Sequence, residues 1–238
     1  MLQVKNLNYT LRNYNKKRKF IIKDISFTLE QGYLLYLSGK NGSGKTTLFR
    51  LLYGMMPPDK GSIQWNGREV YEEKESVRRE IAYVGEEEMF FEHVAIKENI
   101  EQLSLFYPDF RQDIWESCLK YFRFSDSEQK SYAEFSTGQK CQLQLAFALA
   151  RQPKLLLLDE PTACLDPVFR VEFIELLQRF IAEYEISVII STHIPEDIEE
   201  IADYIGIMQE GRIGCSKCEN DTPVQGCTNM SHLSLKNK

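Results

Sequence analysis

With 238 residues, 43% hydrophobic and 27% charged, the chain is long enough to bury a sizeable core and has an ordinary globular composition. A net charge of −6 removes the usual electrostatic footprint of a nucleic-acid binder, so no nucleic-acid partner is expected. No apolar run approaches the ~20 residues that span a bilayer, and Met1-Leu2-Gln3-Val4-Lys5 lacks a signal peptide's apolar region, so a cytoplasmic protein is expected. Residues 2–37 read as strands and turns, and the segment 21–29 alternates apolar and polar at the strand period. Lys16-Lys17-Arg18-Lys19 lies between two such strands as a solvated hairpin loop, with a phosphate or lipid patch as the alternative. Tyr33-Leu34-Leu35-Tyr36-Leu37 reads as a buried strand, and Leu48, Phe49, Leu51 and Leu52 mark a helix that stops at Gly54, ahead of Pro57-Pro58. Asn66-Gly67 between two short strand patterns predicts a tight hairpin. Residues 86–150 are mostly helical in pattern, and 155–158 resume a buried strand, which predicts an α/β core with an inserted helical subdomain at about 87–150. Cys118, Cys141 and Cys164 fall in apolar or motif contexts, where a free thiol packs as a small hydrophobe.

Between the strand at 33–37 and the helix stands Gly39-Lys40-Asn41-Gly42-Ser43-Gly44-Lys45-Thr46-Thr47. The spacing G-x-x-x-x-G-K-T is that of a phosphate-binding loop, whose glycines let backbone N–H groups turn inward around phosphate oxygens at a helix N-terminus. The expected ligand is a nucleoside triphosphate, with Lys45 on its β- and γ-phosphates and the Thr46 hydroxyl on Mg²⁺. The strand at 155–158 ends in Asp159-Glu160, at the carboxyl edge of a sheet where ligands bind in such folds. Asp159 suits the Mg²⁺ shell, and Glu160, expected to point the other way by strand alternation, suits a general base for the attacking water. A helix cap is the plain alternative for such a pair. Ser136-x-x-Gln139 reads as a capping box ahead of a helix through Leu143, Leu145, Ala146, Leu149 and Ala150, an N-terminus positive enough to seat an anion.

Taken together, Phe135-Ser136-Thr137-Gly138-Gln139, the stretch to Pro167, and Ser191-Thr192-His193 after the strand at 187–190 resemble the ATPase domain of ATP-binding-cassette (ABC) proteins over residues 2–213. The resemblance implies a P-loop NTPase (RecA-like) core with an antiparallel β subdomain and the helical subdomain, binding ATP and Mg²⁺. It implies that Ser136, Gly138 and Gln139 form the signature that touches the γ-phosphate held by a second chain. By the same resemblance, Asp166 lies in the loop that crosses the dimer interface, His193 is the switch histidine at the γ-phosphate, and Tyr14, with Tyr9 as the alternative, is the aromatic that stacks on adenine. Phe135 and Thr137 stand where the family usually has leucine and glycine, a version associated with bacterial exporters, and Cys164 replaces a small residue. Glu86 stands where the family has a glutamine linking Mg²⁺, water and the membrane partner; it is expected either to ligate the metal or to point into solvent.

The function expected from this resemblance is an ATP hydrolase on the cytoplasmic face of the cell membrane, forming a dimer with itself or a close paralogue and powering a separate transmembrane permease of the ABC-2-like exporter kind. A soluble ABC ATPase acting on ribosomes or DNA, or a nucleotide-gated binding module with little turnover, stand as alternatives. In the tail at 214–238, Cys215-x-x-Cys218, Cys227 and His232 superficially offer zinc ligands, but the polar surroundings favour a disordered or loosely packed end.

Overall fold

The computed structural model describes residues 1–12, 18–85, 89–163, 165–215 and 234–235. Leu2–Arg12 (β1) and Arg18–Leu29 (β2) pair antiparallel, from Leu2 opposite Leu29 to Arg12 opposite Arg18. Leu2, Val4, Leu7, Ile25, Phe27 and Leu29 of this ribbon are buried, giving it one dry face. Of the basic run, Arg18 and Lys19 belong to β2 rather than to a loop, and Lys16 and Lys17 lie outside the described residues. Leu34–Ser38 (β3) and the helix Lys45–Leu52 (α1) follow. Lys60–Trp65 (β4) pairs with β1 and returns through Asn66-Gly67 as Arg68–Glu69 (β5), completing a four-stranded antiparallel sheet in the order β2-β1-β4-β5. Asn66 and Gly67 take φ of 50° and 79°, the left-handed pair that a two-residue hairpin of this twist requires.

Lys74–Glu80 (α2) leads into Ile81–Val84 (β6), and the chain then forms a helical block of Ile96–Leu103 (α3), Gln112–Tyr121 (α4) and Thr137–Ala150 (α5). Leu155–Asp159 (β7), Pro167–Tyr184 (α6), Ser187–Ser191 (β8), Glu196–Glu199 (α7), Tyr204–Gln209 (β9), Arg212–Cys215 (β10) and Ser234–Leu235 (β11) complete the order. The second sheet runs β10-β9-β3-β8-β7-β6; its strands from β9 through β6 are parallel, while β10 and β11 pair antiparallel with β9. Strand β10 crosses residue 213 and β11 pairs with β9 beyond it, so described strand pairing continues past residue 213.

Both faces of the central strands are dry, and alternation divides their side chains between two cores. Leu34, Tyr36, Ala82, Val84, Leu156, Leu158, Val188 and Ile190 pack with the helical block and α6. Leu35, Leu37, Ile81, Tyr83, Leu155, Leu157 and Ile189 pack with α1 and the antiparallel sheet. That double burial is why these strands read as unbroken apolar runs rather than alternating ones. Parallel pairing also brings the carboxyl ends of β3, β7 and β8 to one edge, at Ser38, Asp159 and Ser191. Among the described residues no helix is long and apolar enough to cross a membrane.

Candidate functional site

At the end of β3 the chain turns through residues 39–44 into α1, and the turn depends on glycine. Gly44, the N-cap of α1, has φ 111°, and a Cβ there would lie 2.8 Å from Met208 Cε and 2.9 Å from the Ile21 carbonyl oxygen. A Cβ on Gly39 would lie 2.5 Å from the Met208 carbonyl oxygen, so β9 backs the loop directly. No side chain caps α1 and no acid stands in its first turn, which leaves its leading N–H groups for an anion. Lys45 is buried to 6% exposure; its ammonium donates to the Gly39 carbonyl oxygen at 2.7 Å and lies 3.5 Å from Glu160 Oε1. Thr46 and Thr47 are half-buried in the first turn, and the buried Ser43 hydroxyl has no partner among the described residues. Gly39, Lys40, Asn41, Gly42 and Ser43 line a cavity of about 740 Å³ together with Thr192, His193 and Met208.

Contrary to the expectation from strand alternation, Asp159 and Glu160 are not set on opposite faces. Strand β7 ends at Asp159, and Glu160 has already left it with φ 55°, a left-handed conformation costly for a residue with a Cβ. Both carboxylates therefore face one cavity, of about 210 Å³, shared with Thr137, Lys140 and Gly85, instead of opposite sides of the sheet. Asp159 is 4% exposed; its Oδ1 accepts the Ser191 hydroxyl at 2.7 Å, and its Oδ2 has no partner among the described residues. Glu160 Oε1 sits 3.5 Å from Lys45 Nζ and 3.2 Å from His193 Nε2, while Oε2 is buried with no partner among the described residues. Thus phosphate loop, carboxylate and histidine converge on one atom from three separate stretches of chain.

This donor set fits a hard divalent cation. Two buried carboxylate oxygens without partners stand beside a phosphate loop, and Mg²⁺ characteristically takes one or two protein oxygens together with phosphate oxygens. Among the described residues, no group of three or more His, Cys, Asp or Glu could hold a metal ion by itself.

Ser136 and Gln139 form the expected capping box at the start of α5: Ser136 Oγ accepts the Gln139 amide at 3.3 Å, and Gln139 Oε1 accepts the Ser136 amide at 3.0 Å. Ser136, Gly138 and Gln139 line neither of the two cavities, so within one chain they are not joined to the loop at 39–47. Phe135 is buried against Phe124, ring centroids 5.7 Å apart, which gives the aromatic at this position a packing reason. Asp166 caps α6, accepting the amides of Val168 and Phe169 at 3.0 and 3.1 Å. Tyr9 packs half-buried against the core of the antiparallel sheet. Tyr14, Glu86, Cys164, Cys218, Cys227 and His232 lie outside the described residues, as does the side chain of Cys215. Burial pushes the Cys118 thiol up to about 12, a packed and unreactive cysteine.

Sequence reasoning missed Ser191 and Met208 as parts of this site. Ser191 opens the Ser191-Thr192-His193 motif with no role of its own assigned there, and only the register of β7 against β8, Asp159 opposite Ser191, reveals what its hydroxyl touches. Met208 carries no local signal, since its contact with the loop is made by sheet order.

The sheet order and the glycine loop between β3 and α1 place the chain among the P-loop nucleotide-binding α/β proteins. The ABC transporter family profile matches residues 22–163, and the chain belongs to that family. It is 35% identical over 193 residues to the ABC transporter ATP-binding protein YtrB of Bacillus subtilis (strain 168), a match covering 81% of this chain and 65% of that one. It is 31% identical over 192 residues to the bacitracin transport ATP-binding protein BcrA of Bacillus licheniformis, covering 81% of this chain and 63% of the relative. The chain thus spans a little under two thirds of the length of these relatives. A solved ATP binding subunit of an ABC transporter superposes with a TM-score of 0.79 at 28% identity, over 90% of this chain and 88% of the other.

Proposed function

We propose that this chain, with residues 1–213 as its working unit, hydrolyses ATP and powers a membrane transporter from the cytoplasmic face of the membrane, closing as a dimer around two Mg-ATP. Family membership and relatives named for transport support the transporter role. The single observation that carries the hydrolytic role is Glu160, whose Oε1 is held between Lys45 and His193 while Oε2 is buried without a partner.

In this reading the amides of residues 39–47 and the Lys45 ammonium hold the triphosphate, the ammonium exchanging the Gly39 carbonyl for phosphate oxygens. Tyr14 stacks on the adenine, with Tyr9 as the alternative. Bound Mg²⁺ supplies positive charge to the phosphate oxygens, and Thr46, Asp159 and Glu86 are the residues that would hold it. Glu160 takes the proton of the attacking water through Oε2 as the water oxygen bonds to the γ-phosphorus and the bond to the ADP oxygen breaks. His193 keeps Glu160 oriented beside the γ-phosphate. Ser136, Gly138 and Gln139 of a second chain, identical or a close paralogue, complete the site, and a separate permease subunit, of the exporter type, carries the substrate.

Phosphate release from ATP by wild type and Glu160→Gln is the test. The expected result is measurable turnover in wild type and a loss of about 10²–10⁴-fold in the variant, with ATP binding retained. ATP binding by wild type without phosphate release would establish a nucleotide-gated module instead. For Glu86, a Mg²⁺ activation curve unchanged in Glu86→Gln removes it from the metal site.

A further inference from the structure

Two short stretches carry both carboxylates and the histidine at the carboxyl edge, residues 159–162 from the end of β7 and residues 191–194 from the end of β8, and they are joined by a seam of buried hydroxyls. Ser191 is fully buried, and its hydroxyl makes two bonds of opposite sense: it donates to Asp159 Oδ1 at 2.7 Å and accepts the Glu160 amide at 3.1 Å. The same amide also reaches the Ser191 carbonyl oxygen at 3.1 Å. One residue further along, the Thr162 and Thr192 hydroxyls lie 2.7 Å apart, both buried.

The consequences differ for the two carboxylates. A carboxylate presents two equivalent oxygens, and a donor committed to one of them fixes which oxygen remains for a cation. With Oδ1 taken by Ser191, Asp159 is left with Oδ2, the oxygen that has no partner among the described residues. For Glu160 the bond is to the backbone. A left-handed φ of 55° on a non-glycine residue persists only where neighbouring groups hold it, and the amide anchored on Ser191 is such a hold. That conformation turns the side chain off the strand and toward Lys45 and His193.

We propose that Ser191 is a positioning residue for the carboxylate pair: its hydroxyl selects the Asp159 oxygen that faces a divalent cation and locks the backbone that aims Glu160. The proposal rests on the metal and base roles given above for Asp159 and Glu160. A hydrogen bond to a charged group is worth enough that its loss corresponds to about tenfold in affinity or rate. Divalent-cation affinity, apart from turnover, is therefore the direct readout.

The experiment measures Mn²⁺ binding by electron paramagnetic resonance in the presence of a non-hydrolysable ATP analogue, alongside phosphate release and nucleotide affinity. Ser191→Ala and the near-isosteric Ser191→Cys, a poor donor that keeps the volume, are expected to weaken Mn²⁺ binding about tenfold. Turnover should fall by a similar factor, with nucleotide affinity unchanged within about twofold. Ser191→Thr, which keeps the hydroxyl, should restore the Mn²⁺ affinity. Ser187→Ala removes a buried hydroxyl bonded to Glu30 and Gly32 at the other end of the same strand, so it should leave Mn²⁺ affinity unchanged. Wild-type Mn²⁺ affinity and turnover in both Ser191→Ala and Ser191→Cys overturn the proposal. If Glu160→Gln retains full turnover, it is the underlying reading of the base that fails, a result separable from the behaviour of Ser191.

Discussion

Helices α1 and α5 both begin at segments proposed to meet phosphate, and they begin in opposite ways. Gly44 opens α1 with no side-chain cap, so the helix offers bare amides next to a buried lysine. Ser136 opens α5 and is committed to a reciprocal box with Gln139. The first end is built for a strong anion and depends on glycine to let one approach. The second is already satisfied by its own chain, and its exposed Ser136 hydroxyl is held by a bond of 3.3 Å. One end can bind phosphate alone; the other is suited to adding contacts to a phosphate already held elsewhere.

The largest effect that sharpens this contrast is expected at α1. Lys45→Ala removes the cation from a buried phosphate contact, a loss of roughly 2–5 kcal/mol, so ATP affinity should fall by about one and a half to three and a half orders of magnitude in a fluorescent-nucleotide titration. An affinity within threefold of wild type would break the comparison at its stronger side. Ser136→Ala should leave the ATP affinity of the isolated chain unchanged, because in the proposed reading that end acts across the dimer.

Mixing the two variants tests that division. A head-to-tail dimer of one Lys45→Ala chain and one Ser136→Ala chain places both lesions in one composite site and leaves the other intact. Partial recovery of ATPase activity is expected relative to either homodimer; mixed dimers that form and recover nothing would show that α5 does not serve a second chain.

Smaller again is the effect of Ser136→Ala on folding. Losing an N-cap hydroxyl costs about 1 kcal/mol, read as a lower denaturation midpoint, and Ser136→Asn should restore it. At α1 there is no comparable cap to lose.

The smallest effect lies away from both helix ends, at Glu80. Burial opposes its charge, but hydrogen bonds from Trp65 and Arg68, with the Arg68 guanidinium alongside, hold its carboxyl below the usual range. A depressed folded-state pKa adds stability above the unfolded value and loses it as pH falls through the folded one. Glu80→Gln should therefore flatten the acid side of the stability curve below about pH 4.5 while leaving nucleotide affinity alone, since solvent screens this half-exposed pair.

Much of the site was legible because phosphate recognition is local. Residues 39–47 carry glycine spacing, lysine and threonine in one stretch, and the box at Ser136 and Gln139 is three residues long. The strands at 33–37 and 155–158 announced themselves as apolar runs because both their faces are buried. What was not legible is set by strand adjacency. Ser191 reaches Asp159 because β8 lies beside β7 in register, and Met208 backs Gly39 because β9 lies beside β3; no window of sequence contains either pair. The alternation argument for Asp159 and Glu160 failed for a related reason: it assumed that the strand continues, whereas the chain turns left-handed at Glu160.

Strand β9 has one more consequence. It covers the outer edge of β3, pairing from Leu35 opposite Tyr204 to Ser38 opposite Ile207, while the amide of Gly211, just beyond it, donates to the Ser43 carbonyl oxygen. Without that cover, the strand that delivers the chain into the glycine loop would present a bare row of N–H and C=O groups, a template for pairing with other copies. Shortening the chain to residue 203, though it spares the glycine loop, both carboxylates and the histidine, would therefore yield a sticky, self-associating product rather than a minimal enzyme.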